Sequence, residues 1–155
     1  AIAMPPAMDQ LEAGGAIDPT DDRTVVLVAE DSTVNMMVLS NMLSDKGFQL
    51  VMTENGQEAI NAFAHAVAQG RPPDVVLLDV EMPEVDGLEA ASTIRTIERE
   101  SGIAPRAIIA VTALGTKENR LASLAAGMDE HLVKPLQKPL LLATMAQVLS
   151  RHRRG

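Results

Sequence analysis

The most informative part of the sequence for predicting the fold is residues 75–87, VVLLDVEMPEVDG. Its first four residues are apolar, which suits a strand that is covered on both faces, as in a parallel sheet. Asp79 follows directly, and the proline and glycine further along predict a turn. The segment therefore predicts a buried strand that carries a carboxylate to one edge of a sheet.

The same pattern recurs from residue 24 onward, where short apolar runs alternate with amphipathic segments. Strands are predicted at residues 25–29, 49–53, 75–78, 107–111 and 131–133. Repeated units of this kind predict a doubly wound α/β fold around a five-stranded parallel sheet. In such sheets the ligand site lies at the carboxyl ends of the strands, so the functional residues are expected there.

The predicted helices have recognisable ends and apolar faces. Asn55, with Glu58 three residues later, predicts a helix cap after the second strand. The residues that should face the core in that helix are Ile60, Phe63 and Val67. In the first helix, one face is shared by Val34, Val38 and Met42. Pro139 suits the first turn of the last helix, whose apolar face is formed by Leu141, Leu142, Met145 and Leu149.

Composition narrows the function. A chain of 155 residues with 46% apolar residues is enough for one domain with a hydrophobic core. The net charge of -8 argues against direct binding to nucleic acid. The lack of cysteine fits a reducing compartment, so a cytoplasmic location is expected. No apolar run is long enough to cross a bilayer, and no membrane contact is expected.

The domain limits follow from changes in composition. Residues 1–22 contain several prolines and glycines without periodicity, and they are predicted to be a disordered linker, a tail or a cloning remnant. Residues 23–151 form the predicted domain, and residues 152–155 form a basic tail.

Polar residues follow the apolar strands at one edge of the predicted sheet: Glu30, Asp31, Asp79, Thr112 and Lys134. Three neighbouring carboxylates repel one another unless a cation is bound, which favours Mg²⁺, with Mn²⁺ as the alternative. Beside the metal and Lys134, Asp79 can attack phosphorus, and Thr112 can donate a hydrogen bond to a phosphoryl oxygen. Taken alone, each residue also fits an ordinary turn, cap or solvated side chain, and only the combination favours chemistry.

Four motifs together resemble the response-regulator receiver domain of two-component signalling. They are the residues VAED at 28–31, LLDVEMP at 77–83 with DG at 86–87, VTA at 111–113 and VKP at 133–135. The resemblance extends from about residue 24 to residue 150. The motifs are most similar to those in the receivers of hybrid sensor histidine kinases.

The resemblance implies a flavodoxin-like three-layer sandwich with strand order 2-1-3-4-5, and a signalling domain instead of a conventional enzyme. Asp79 would accept phosphate from the phosphohistidine of a histidine kinase or histidine phosphotransfer domain. Glu30, Asp31, Asp79 and the backbone carbonyl of Glu81 would bind the metal. Thr112 would sense the phosphoryl group, and Lys134 would pair with it.

The resemblance further implies that the peptide bond before Pro135 is cis and that the output is a downstream protein or the rest of the parent chain. His131 stands where the family usually has an aromatic switch residue, which leaves a polar switch or a simple filler as interpretations.

Two rival hypotheses stay open at this point. A haloacid dehalogenase-type phosphatase uses similar residues, but it usually has Asp where this chain has Glu81. A degenerate receiver would only bind partners. The cognate kinase, the stimulus, the oligomeric state and the choice between a free regulator and a hybrid-kinase domain are not fixed by the sequence.

Overall fold

The computed structural model describes residues 23–154. The predicted linker at residues 1–22 lies outside the described residues. Strands and helices alternate along the described chain. The strands are β1 (Val25–Ala29), β2 (Gln49–Thr53), β3 (Val75–Asp79), β4 (Ala107–Thr112) and β5 (Glu130–Val133). The helices are α1 (Thr33–Ser44), α2 (Gly56–Ala68), α3 (Gly87–Ser101), α4 (Lys117–Ala125) and α5 (Lys138–Arg154).

The strands form one parallel sheet in the order β2-β1-β3-β4-β5, which confirms the predicted fold class and strand order. β3 lies at the centre of the sheet, between β1 and β4. All five residues of β1 and all five of β3 are buried, as the apolar runs predicted. β3 and β4 each extend one residue beyond the predicted end, so Asp79 and Thr112 are strand residues.

Each face of the sheet is covered by helices, and successive residues of a strand contact opposite layers. On one face, Leu27 belongs to a core cluster with Phe63 of α2 and Ile94 of α3. On the other face, Val28 packs in a second cluster with Leu43 of α1 and Met145 of α5. The result is a three-layer sandwich whose central sheet holds the strand ends in fixed positions.

The predicted face of α1 packs on the sheet only in part, since Met42 is partly buried against the core but the other two residues are not. Val34 is 68% exposed and Val38 is 42% exposed, whereas Leu39 and Leu43 are buried. The sequence of α1 is apolar around most of the helix, so its periodicity did not distinguish the core side from the outer side. An apolar surface therefore remains on α1, beside the carboxyl edge of the sheet.

α2 and α5 agree with their predicted signals. Asn55 caps α2 by accepting a hydrogen bond from the Glu58 amide at 2.8 Å. Phe63 is buried in α2, and Leu141 and Met145 are buried in α5. α5 ends at Arg154. The helix therefore extends beyond residue 151, which was the predicted end of the domain. Within residues 23–154, no helix combines the length and apolar character needed to cross a bilayer.

The end of α5 is joined to the sheet by a polar contact at the edge opposite the acidic strand ends. His152 Nε2 lies 2.9 Å from Asp129 Oδ2, the oxygen that also accepts hydrogen bonds from Arg95 and from the Ile108 amide. This contact ties the last turn of α5 to the amino-terminal ends of β4 and β5.

Candidate phosphoacceptor site

The five predicted site residues meet at the carboxyl edge of the sheet. Glu30 directly follows β1, Asp79 ends β3, Thr112 ends β4 and Lys134 directly follows β5. The strand register keeps these ends level, since Asp79 lies opposite Val111 and Thr112 lies opposite Val133. The parallel sheet itself therefore brings together residues that are far apart in sequence.

Three carboxylates form an acidic cluster at this edge. Glu30, Asp31 and Asp79 each offer one oxygen, and the three oxygens lie within 4.8 Å of one another. Glu30 and Asp79 are 1% and 2% exposed, whereas Asp31 is exposed. The Ser32 amide fixes the Glu30 side chain with a hydrogen bond of 3.1 Å. Two buried carboxyl groups and one exposed carboxyl group are thus grouped at the carboxyl edge of the sheet.

Lys134 provides the balancing positive charge. Its ammonium nitrogen lies 3.1 Å from Glu30 Oε1 and 3.1 Å from Asp79 Oδ2. Burial tends to lower the pKa of Lys134, but the two carboxylates outweigh it and raise the pKa above its ordinary value. The lysine therefore stays charged. The peptide bond between Lys134 and Pro135 is cis.

The environment of Asp79 disfavours its ionised form. Burial, followed by the neighbouring Glu30 carboxylate, raises the pKa of Asp79 from 3.8 to about 7, although Lys134 pulls it down. One ammonium does not neutralise three carboxylates. A bound cation would restore the ionised form of Asp79, which is the form that can act as a nucleophile.

The donor set fits a hard divalent ion. All three side chains offer carboxylate oxygens, the ligand type that Mg²⁺ prefers. The three oxygens all lie within 4.8 Å of one another, which is close enough for one ion to contact all of them.

The loop after β3 is held tightly against the strand. Gly87 begins α3, and a Cβ atom there would lie 2.5 Å from the Asp79 carbonyl oxygen, so only glycine fits. The Gly87 amide donates to the Val80 carbonyl at 3.1 Å, and the Glu81 amide donates to Asp79 Oδ1 at 3.1 Å. These contacts fix Glu81 beside Asp79.

The carboxylate of Glu81 is a site feature that the sequence analysis missed. From sequence, Glu81 was expected to give its backbone carbonyl to the metal and was noted as the position where phosphatases usually have Asp, but no contact of its carboxylate was predicted. In the structure the Glu81 carboxylate accepts hydrogen bonds from the Thr112 hydroxyl and, at 3.0 Å, from the Ala113 amide. The sequence offered no signal for this contact, because residues 81 and 112 are far apart in the chain and meet only through the loop after β3.

His131 lies in β5, opposite Ala110, and is partly buried. Its Nε2 atom is buried and has no hydrogen-bond partner within the described part of the chain. A buried polar atom without a partner disfavours the conformation that contains it. The switch role of His131 stays a prediction.

Comparison with known proteins agrees with this geometry. Residues 26–146 match the response regulator receiver domain family. Hybrid signal transduction histidine kinase I of Dictyostelium discoideum is 37% identical over 117 residues, which are 75% of this chain but only 7% of that protein. The chain thus spans a small part of that relative.

Two solved structures resemble the fold. The receiver domain of sensor histidine kinase PA1611 from Pseudomonas aeruginosa PAO1, solved with magnesium in its active-site cleft, has a TM-score of 0.71 and 27% identity, covering 83% of this chain and 98% of that one. The receiver domain of Ssk1 from Saccharomyces cerevisiae, solved in complex with the histidine phosphotransfer protein Ypd1, has a TM-score of 0.72 and 26% identity. The match covers 81% of this chain and 88% of that one.

A parallel sheet with this order and an acidic carboxyl edge beside a lysine defines the receiver class of α/β domain. The chain belongs to the response regulator receiver domain family of two-component signalling. This membership favours the receiver hypothesis over the phosphatase.

Proposed function

We propose that this domain takes a phosphoryl group from a phosphohistidine onto Asp79, with Mg²⁺ bound. The observation that carries the proposal is the buried Asp79 carboxylate, paired with Lys134 and grouped with two more carboxylates. An Asp79 oxygen attacks phosphorus, the phosphorus–nitrogen bond breaks, and its electron pair leaves with the donor imidazole. The product is an acyl phosphate on Asp79.

The surrounding residues would neutralise and orient the transferred group. Glu30, Asp31, Asp79 and the Glu81 backbone carbonyl would hold Mg²⁺, or Mn²⁺ in its place, and the ion would screen negative charge. Lys134 would pair with one phosphoryl oxygen, and Thr112 would donate a hydrogen bond to another. These residues would also support loss of the phosphoryl group to water, without a separate enzyme.

The phosphorylated domain would act as a two-state switch. We propose that movement of Thr112 and Lys134 is coupled through His131 to the surface of α4, β5 and α5. A downstream protein, or other domains of the parent chain, would recognise that surface. Because histidine kinases draw on ATP, we propose the cytoplasm as the location.

The apolar surface of α1 suits a phosphohistidine-bearing partner. A groove beside Glu30 and Lys134 is lined by Asn35, Val38, Leu39, Pro135 and Leu136. Its position beside the acidic cluster would bring a docked donor histidine within reach of Asp79. We therefore propose a histidine kinase or a histidine phosphotransfer domain as the occupant, in line with the Ypd1 complex.

Val38→Asp should slow phosphoryl transfer from a protein donor about tenfold, since a charge would be buried in an apolar contact. Val38 is already 42% exposed, so the fold should survive. Transfer from a small phosphodonor should not change. The matched control is Leu121→Asp on α4, where the side chain is 54% exposed. Equal slowing by both substitutions, measured with a phosphorylated histidine phosphotransfer protein, would contradict docking on α1.

Asp31→Asn should weaken Mg²⁺ binding at least about tenfold, because a neutral amide replaces a charged ligand of the ion. Asp31 is exposed, so the substitution should leave the fold intact. Isothermal titration calorimetry with Mg²⁺ measures the effect. Glu54→Gln is the control, since Glu54 is an exposed carboxylate directly after β2 at the same edge. A similar loss in both variants would mean that Asp31 acts only through its charge.

Intact-mass spectrometry with a small phosphodonor tests the proposed function. With acetyl phosphate and Mg²⁺, the domain should gain one phosphoryl group, and chelation of the metal should prevent the gain. Repeated turnover of a phosphate ester without a stable adduct would instead support a phosphatase. No adduct under any metal condition would support a receiver that only binds partners.

A further inference from the structure

The carboxylate of Glu81 is bound by the two hydrogen-bond donors at the end of β4. The Thr112 hydroxyl donates to Glu81 Oε2, and the Ala113 amide donates to Glu81 Oε1 at 3.0 Å. The Leu114 amide donates to Thr112 Oγ1 at 3.0 Å, so the hydroxyl has one proton to give and gives it to Glu81. Both donors are therefore engaged.

On the proposed function, a phosphoryl group on Asp79 would need the Thr112 hydroxyl, the donor that Glu81 occupies. Glu81 is held beside Asp79, because its amide donates to Asp79 Oδ1 at 3.1 Å. A carboxylate and a phosphoryl group are both anionic acceptors, and a single hydroxyl proton cannot serve both at full strength. Because both groups are negatively charged, they would also repel each other.

Release of Glu81 does not require the core to open. Glu81 is exposed, whereas Thr112 is 1% exposed, so the glutamate can swing into water while the threonine stays in place. Water then solvates the freed carboxylate, and the loss is limited to two hydrogen bonds.

We propose that the Glu81 side chain is an internal placeholder, which occupies Thr112 and Ala113 until a phosphoryl group on Asp79 displaces it. This inference rests on the proposed function of Asp79. The placeholder makes the unphosphorylated state more stable relative to the phosphorylated one, and it thereby sets how strongly phosphate must bind to complete the switch. It also holds the two donors in position, ready for the exchange.

Beryllofluoride, a mimic of a phosphoryl group on a carboxylate, gives a direct test. Its affinity for the whole domain at saturating Mg²⁺ can be measured by fluorine NMR. Glu81→Ala should bind roughly tenfold more tightly than wild type, the low end for a hydrogen bond to a charged group. Glu81→Gln should show a smaller gain, since the amide has one acceptor oxygen and can still occupy one donor.

Glu84→Gln is the matched control. Glu84 is an exposed carboxylate in the same loop, and both donors of the β4 end contact Glu81 instead. This control should change the affinity by less than about twofold. In a Thr112→Val background, the increase in beryllofluoride affinity that Glu81→Ala produces should be at most half as large. One of the two donors for which Glu81 and the ligand compete is then missing. A cooperative thermal unfolding transition would show that each variant is folded.

The outcomes separate this inference from the function on which it rests. If wild type binds beryllofluoride, Asp79→Asn does not, and Glu81→Ala binds no more tightly, the placeholder is wrong and the phosphoacceptor stands. An equal gain in Glu84→Gln, or an undiminished gain in the Thr112→Val background, also overturns the placeholder. If wild type does not bind beryllofluoride, both proposals fail.

Discussion

Asp79→Asn is expected to reduce phosphorylation of the domain to background, a loss of several orders of magnitude. The amide that replaces the carboxylate has no anionic oxygen to attack phosphorus and is a poorer ligand for Mg²⁺. The shape of the side chain is kept, and its oxygen can still accept a hydrogen bond from Lys134, which lies 3.1 Å from Asp79 Oδ2. A loss of phosphorylation would therefore result from the missing nucleophile and not from a disrupted site.

Phosphorylation by acetyl phosphate, followed by intact-mass spectrometry, measures this effect. Glu54→Gln, which removes a carboxylate from the same edge without touching the cluster, should be phosphorylated like wild type. An undiminished adduct in Asp79→Asn would mean that another carboxylate, such as Asp31 or Glu81, is the acceptor.

The same substitution should stabilise the metal-free fold at alkaline pH. Burial beside Glu30 raises the pKa of Asp79 from 3.8 to about 7, so the folded state bears a cost whenever Asp79 is ionised. Above pH 7 Asp79 is ionised in the folded state, and the full free-energy cost of burying its charge lowers the stability. Between about pH 7 and pH 4 the folded protein takes up a proton that the unfolded chain does not, and the cost disappears as the pH falls.

Asparagine carries no charge and avoids this cost. We expect the free energy of unfolding of Asp79→Asn to exceed that of wild type by on the order of 2 kcal/mol at pH 8, with the difference shrinking towards pH 4. Urea denaturation in the presence of a chelator measures it. Saturating Mg²⁺ should narrow the difference, because the ion favours the ionised carboxylate of wild type. A variant less stable than wild type at pH 8 would contradict the unfavourable burial of Asp79.

Much of this account could be predicted from sequence because a parallel sheet repeats one arrangement. Apolar runs predicted the strands, and strands of a parallel sheet end at the same edge, so Glu30, Asp79 and Thr112 could be grouped before any distance was known. The helix caps were equally local, as the hydrogen bond from the Glu58 amide to Asn55 illustrates.

The features that could not be predicted from sequence depend on tertiary contacts that the periodicity of apolar residues does not determine. α1 is apolar on several sides, so the preference for Leu39 and Leu43 over Val34 and Val38 is decided by how the helix sits on the sheet. The contact of Glu81 with Thr112 depends on the path of the loop after β3 and on one side-chain rotamer. Neither is fixed within a short window of residues.

The role of Asp79 as phosphoryl acceptor can be tested by locating the phosphoryl group in the chain. The domain would be phosphorylated with a phosphohistidine protein and Mg²⁺, reduced with borohydride, digested and sequenced by tandem mass spectrometry. Borohydride converts an aspartyl phosphate into homoserine and thereby marks the acceptor. If Asp79 is the acceptor, homoserine should be found at position 79 alone. Reduction at Asp31, or a reduced glutamate at Glu30 or Glu81 with Asp79 intact, would contradict it.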